Sequence, residues 1–145
     1  ADIHDHYVAA CEKEPDRIQK AMVVCANRMI AYNLLLKFKE KYSEWFEEKK
    51  TPDGIAVTKE ELDELNPMPF IAMVASVGKN DEKNMYNYLG GVKNSKRSKE
   101  LDAAFKQEKS NFRVVIVVDM WITGFDVPCL TYMYNDKPLK KHLLI

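Results

Sequence analysis

The sequence has little of what marks several protein classes. It carries three cysteines, Cys11, Cys25 and Cys129, which are odd in number, far apart and without metal-ligand spacing. That leaves no disulfide framework and no zinc site to argue from. Cys25 lies inside an apolar run, where a thiol behaves as a small hydrophobe. A reduced, cytoplasmic chain is the expectation. No apolar stretch approaches the roughly 20 residues that span a bilayer, so no membrane partner is expected. The first ten residues are amphipathic and lack the long apolar core of a signal peptide. Neither sign of charge dominates: Lys plus Arg and Asp plus Glu number 22 each. That balance argues neither for nor against a polyanionic partner, and a local basic face stays open. His4, His6 and His142 show no ligand spacing, and no nucleophile–base pair is visible. Glycine is scarce, and no Gly-rich loop ending in Lys-Ser/Thr is there to cradle a triphosphate.

The chain does have enough aliphatic and aromatic residues to bury a core, and its 145 residues suit one domain, 1–145. Ile3, Tyr7, Ala10 and Cys11 fall at helical spacing, closed by Pro15. Ala21 to Cys25 is a short continuous apolar run, a candidate buried strand. Asn27 can cap a helix, along which Ala31, Leu34, Leu35, Phe38, Tyr42, Trp45 and Phe46 draw an apolar stripe. Residues 51–69 are polar, acidic and broken by Pro52, Pro67 and Pro69. They read as a surface insertion with one helical turn near Glu60 to Leu65. Phe70 to Val77 is a second apolar run. Asn80 can cap a short helix through Met85, Tyr86 and Leu89, stopped by Gly90-Gly91. Asn94 to Lys99 reads as a basic loop, followed by a helix through Leu101, Ala104 and Phe105. Val114 to Val118 (VVIVV) is the clearest strand, and Leu130 to Tyr134 a fourth.

Continuous apolar strands separated by amphipathic helices describe a mainly parallel sheet covered on both faces. The expected fold class is therefore α/β, doubly wound, with three layers α/β/α. No initiator Met is present, and Lys140 to Ile145 stops within an apolar rise without a helix-stop signal. The chain is expected to be a truncated piece of something longer.

Open parallel sheets bind ligands beyond the carboxyl ends of their strands. Three segments qualify: Cys25 to Arg28, Ser76 to Lys79, and Asp119 to Pro128. The last is long and carries two carboxylates, a Gly and a Pro. Gly124 lets a ligand approach the backbone closely, and Asp126 can accept from a sugar hydroxyl. Asp and Gly in a loop before a Pro are usually turn chemistry. Asn27 is explained by capping alone. Arg28 in a first helical turn opposes the helix dipole, a cost that a nearby phosphate or plain solvation offsets. Lys79, Lys83, Lys93, Lys96, Arg97 and Lys99 form a basic cluster diluted by Asp81, Glu82 and Glu100, either a polynucleotide face or a solvated one. Trp121 can stack on a base or pack beneath its loop.

At the third segment a resemblance appears. VVIVVDMWITGFDVPCLTYMYNDKPLKKH resembles the stretch around helicase motif V in R subunits of type I restriction–modification enzymes. KAMVVCANRMIAYNL resembles their motif IV region, and FIAMVASVGKND the strand and loop between. The likeness covers most of the chain from about Lys20 onward. It implies the second RecA-like lobe of a superfamily 2 motor that binds ATP with Mg2+ between two lobes and translocates double-stranded DNA. Implied partners are that DNA, the first RecA-like lobe of the same chain, and the methylase and specificity subunits. By the resemblance, Asp126 meets the nucleotide and Asp119 couples the two sites. Asn27, Arg28, Gly124 and Thr123 approach the DNA backbone. Val118 stands where many such motors have Thr, and Thr123 where many have Arg, so contacts there fall to the backbone. The phosphate-cradling and magnesium motifs belong to the first lobe, and the arginine-bearing motif VI is expected just beyond Ile145. No catalytic set is complete in this piece, so the isolated chain is expected to be inactive as an ATPase. A nucleotide- or protein-binding α/β module without motor activity is the alternative. A scaffold in which the third segment only packs is a third reading.

Overall fold

The computed structural model describes residues 2–13, 19–52, 55–118, 130–135 and 141–143. The apolar runs build its sheet. The strands are β1 (Lys20–Cys25), β2 (Ile71–Val74), β3 (Val114–Val118), β4 (Leu130–Asn135) and β5 (Lys141–Leu143). They stand in the order β2-β3-β1-β4-β5. β1 lies parallel between β3 and β4, and β2 lies parallel to β3. Among the described strands only β5 is antiparallel, against β4. Parallel strands need crossovers. Between β1 and β2 run α2 (Arg28–Lys41) and α3 (Lys59–Glu64). Between β2 and β3 run α4 (Lys83–Tyr88) and α5 (Asn94–Lys106). Ahead of the sheet stands α1 (Asp2–Lys13).

Side chains alternate across the sheet, and each face has its own core. Ala21, Val23, Cys25, Ile71, Met73, Val114 and Ile116 pack against Tyr7 of α1, against Ala31, Leu35 and Phe38 of α2, and against Met85 of α4. Met22, Val24, Ala72, Val74, Val115 and Val117 pack with Phe112 and with Leu101, Ala104 and Phe105 of α5. Both faces of β1, β2 and β3 are covered, which is why these strands read as continuous apolar runs. The fold is thus the expected mainly parallel, doubly wound α/β sheet.

Several boundaries differ from expectation, each for a local reason. α2 ends at Lys41, and a 3-10 turn over Ser43–Phe46 folds the remaining aromatics back. Trp45 thereby stacks on Phe38 and lies 4.6 Å from the Phe70 ring. The cap of α4 is Glu82, whose carboxylate accepts from the Met85 N–H at 3.1 Å, and not Asn80. β2 closes at Val74, short of the end of its apolar run. Asn94 to Lys99 is the first half of α5 rather than a loop. Gly90 makes this possible. Its φ of 97° turns the chain sharply after α4, a conformation open to glycine. The Asn94 side chain then donates to the carbonyls of Leu89 and Ala75, at 2.8 and 2.7 Å.

The 51–69 segment carries its helical turn at α3, which a Thr58–Glu61 capping box starts. Its base is pinned by a bridge between Lys49 and Met68 and by Asn111 donating to the Met68 carbonyl.

Candidate functional site

Parallel pairing puts the strand ends level. Cys25 is in register with Val118, and Val74 with Val117. The chain therefore leaves β1, β2 and β3 at one edge, and Val24 aligned with Asn135 brings the end of β4 there too. Asn27, Arg28 and Gly78 share this rim, as the parallel topology requires.

Asn27 is the helix cap. Its backbone is extended and its side-chain oxygen accepts from the Ile30 N–H at 2.9 Å. Arg28 reaches across to the loop after β2. Its Nη1 donates to the Ser76 carbonyl at 3.1 Å and to Asp81 Oδ2 at 2.5 Å. The same Asp81 oxygen accepts from the Gly78 N–H at 2.6 Å. The Asp81 side chain is only 4% exposed, whereas that of Arg28 is 32% exposed. The Arg28 hydrogen bond holds the Asp81 carboxyl below its ordinary pKa, the Gly78 N–H and the Arg28 charge act the same way, and burial opposes them. Gly78 is small for a reason. A Cβ there would stand 3.2 Å from Arg28 Nη2 and 3.3 Å from Asp81 Oδ1.

A cavity of about 530 Å³ opens at this rim, lined by Ala26, Asn27, Arg28, Ser76, Ser95, Ser98 and Val118 among others. Its floor is apolar, from Val74 and Ala75, and its walls offer an amide, a guanidinium and hydroxyls. A second hollow of about 560 Å³ lies on the other side of Arg28, against Gly78, Lys79 and Asp81. Among the described residues, no hydrogen bond engages Nε or Nη2 of Arg28. This donor set suits an oxyanion rather than a cation. No group of three or more His, Cys, Asp or Glu that could hold a metal occurs among the described residues.

The chain matches, over residues 18–145, the family described as type I restriction enzyme subunit R domain 3. The chain belongs to the type I restriction enzyme R subunit family. It is 33% identical, over 127 residues, to the type I restriction enzyme HindI endonuclease subunit of Haemophilus influenzae; the match takes in 87% of this chain and 10% of that protein. It is 45% identical, over 76 residues, to a Methanocaldococcus jannaschii protein bearing the name of the type I restriction enzyme MjaIXP endonuclease subunit, across 52% of this chain and 7% of that one. The chain thus spans about a tenth or less of the length of these relatives. No solved structure matches it.

Within this R subunit segment, the expected site residues divide. Asn27 and Arg28 are brought together at the rim. Asp119, Thr123, Gly124 and Asp126 lie outside the described residues, as does Trp121. Of the basic cluster, one member leaves the surface. Lys79, Lys83, Lys93, Lys96 and Lys99 are exposed. Arg97 instead turns inward, donating to the Met73 carbonyl at 2.9 Å and lying 4.5 Å from the Tyr88 ring centre.

Sequence reasoning missed Asp81 as a partner of Arg28. The signal is present in Gly78-Lys79-Asn80-Asp81, a turn whose carboxylate can return to the glycine N–H. Among so many lysines, the same carboxylate suggests only dilution of charge. Ser95 and Ser98 escaped notice because their polar, basic segment resembles a loop. No helix among the described residues is long and apolar enough to cross a membrane.

Proposed function

We propose that this chain is part of the ATP-dependent translocase motor of a type I restriction endonuclease R subunit, its second RecA-like lobe. The motor moves double-stranded DNA in the cytoplasm and so leads to its cleavage. The observation that carries this reading is the level rim, where Asn27, Arg28 and Ser76 surround an apolar-floored cavity beside the end of β3. A guanidinium, an amide and hydroxyls at parallel strand ends suit the oxygens of a phosphodiester. The family membership supports the same assignment.

In this reading Arg28 and Asn27 approach the DNA backbone, and Gly124 and Thr123 are assigned contacts with it as well. Asp126 seats the nucleotide ribose, and Asp119 links the two sites. The described rim residues do not fit Mg2+, since Asp81 is committed to Arg28 and Gly78. ATP and its metal are therefore assigned to the first lobe and the cleft between lobes. The methylase and specificity subunits complete the complex.

The test is Asp126→Ala in the R subunit carrying this sequence, assembled with its partner subunits. DNA-stimulated ATP hydrolysis and translocation should fall at least tenfold, with assembly unchanged. Wild-type hydrolysis and translocation would reject the motor assignment.

A further inference from the structure

The Arg28–Asp81 pair has a geometry that bears on how the rim engages DNA. We propose that Asp81 is a positioning residue for Arg28, an inference that rests on the reading of Arg28 as a phosphate contact. Asp81 holds one guanidinium nitrogen so that the opposite edge faces a DNA phosphate.

Three observations support this. First, both described hydrogen bonds of Arg28 use Nη1, one to Asp81 and one to Ser76. A guanidinium has five N–H donors in a fixed plane, so fixing Nη1, with Nη2 lying against Gly78, sets the direction of the remaining donors. Second, the two partners differ in exposure. Asp81 is almost wholly covered while Arg28 keeps about a third of its side chain accessible and lines both rim hollows. The buried member anchors and the exposed one presents. Third, the anchor is itself fixed. The Gly78 N–H donates to the Asp81 oxygen that Arg28 uses, and the missing Cβ at Gly78 gives the guanidinium room to lie against that turn. A free arginine loses rotamer entropy on meeting a phosphate, and one already held loses less.

A second role would produce the same pair. Asp81 could merely neutralise Arg28, and DNA would then have to displace it. The two roles predict opposite couplings. If Asp81 positions Arg28, the arginine contributes nothing once Asp81 is gone. If Asp81 masks it, the arginine contributes more.

The experiment measures binding of a non-specific duplex to the full-length R subunit across a salt series, for wild type, Arg28→Ala, Asp81→Ala and the double variant. In the wild-type background, Arg28→Ala should lower the salt slope by about one. With Asp81→Ala already in place, the same change should leave slope and affinity within about twofold. A third variant, Gly78→Ala, keeps both charges and displaces the pair. It should reproduce the slope loss of Arg28→Ala, and it stands in if Asp81→Ala does not fold. An equal cost of Arg28→Ala in both backgrounds overturns the positioning role and leaves the phosphate contact standing. A larger cost without Asp81 shows masking and also overturns it. No effect of Arg28→Ala in either background removes the phosphate contact itself, and the positioning role with it.

Discussion

The wholly buried ammonium of Lys20 donates to the Phe105 carbonyl at 2.7 Å. The same group reaches the carbonyls of Gln107 at 2.8 Å and Ala104 at 3.4 Å. The first residue of β1 thus closes the last turn of α5, across 85 residues of sequence. A helix end leaves its last carbonyls without intrahelical donors. It also carries partial negative charge, which favours a cation.

Lys20→Met should therefore destabilise the chain, although it swaps a polar residue for an apolar one of similar length in a core. Methionine supplies no donor, so the carbonyls at the end of α5 lose the ammonium, at about 1–3 kcal/mol. The expected result is a lower urea midpoint with an unchanged slope. An equal or higher midpoint would show that desolvating the ammonium outweighs its bonds to the end of α5.

Lys20 also marks where local sequence stops being informative. AMVVC and VVIVV are legible as strands because a period-free apolar run between turn signals has few other uses. Asn27 is legible as a cap because its oxygen is local to the N–H it serves. Lys20 is not legible as a buried group, since nothing within five residues reveals that the end of α5 lies above it. Arg97 is hidden similarly: its role depends on β2 being an edge strand, a fact of strand order. Pairing order and long-range partners are set by the assembled sheet. At the rim, the edge shared by Asn27 and Gly78 follows from parallel topology, whereas the Asp81 contact depends on the loop's actual path.

Among the described strands β2 stands at the edge of the sheet, where unpaired backbone groups invite association. Side chains cover that edge. The Met73 N–H donates to the Tyr88 hydroxyl at 3.0 Å, and its carbonyl accepts from Arg97. Tyr88→Phe should cost about 1–2 kcal/mol in urea unfolding, because the Met73 N–H loses its acceptor. Arg97→Ala should promote concentration-dependent self-association, read by light scattering. A monomeric Arg97→Ala at high concentration would show that the edge is protected by other means.

Acid should weaken the chain partly through Asp81. Its folded-state carboxyl sits below the ordinary value, first because Arg28 hydrogen-bonds it. A depressed carboxyl stabilises the fold above its unfolded pKa of about 3.9 and loses that contribution as pH falls through the lower folded value. Glu61 behaves likewise, held down first by its hydrogen bond with Lys109. Arg28→Ala should flatten the acid limb in part, so that stability falls less as pH drops through and below the unfolded value of about 3.9. Parallel limbs for variant and wild type would remove Arg28 as the cause.

Asn27 allows the structural and binding roles of one rim residue to be separated. Its oxygen caps α2 through the Ile30 N–H, and an aspartate caps as well as an asparagine. A carboxylate at this position would also complement the positive end of α2, whose first turn has no acidic residue. Asn27→Asp should thus hold stability within about 0.5 kcal/mol, whereas Asn27→Ala should lose about 1 kcal/mol. On DNA the order reverses. The aspartate adds a negative charge at the rim, so the R subunit bearing Asn27→Asp should bind duplex less tightly than the one bearing Asn27→Ala, most clearly at low salt. Equal binding by the two, with their stabilities ranked as stated, would mean that Asn27 serves the helix alone and that DNA does not pass this side of Arg28.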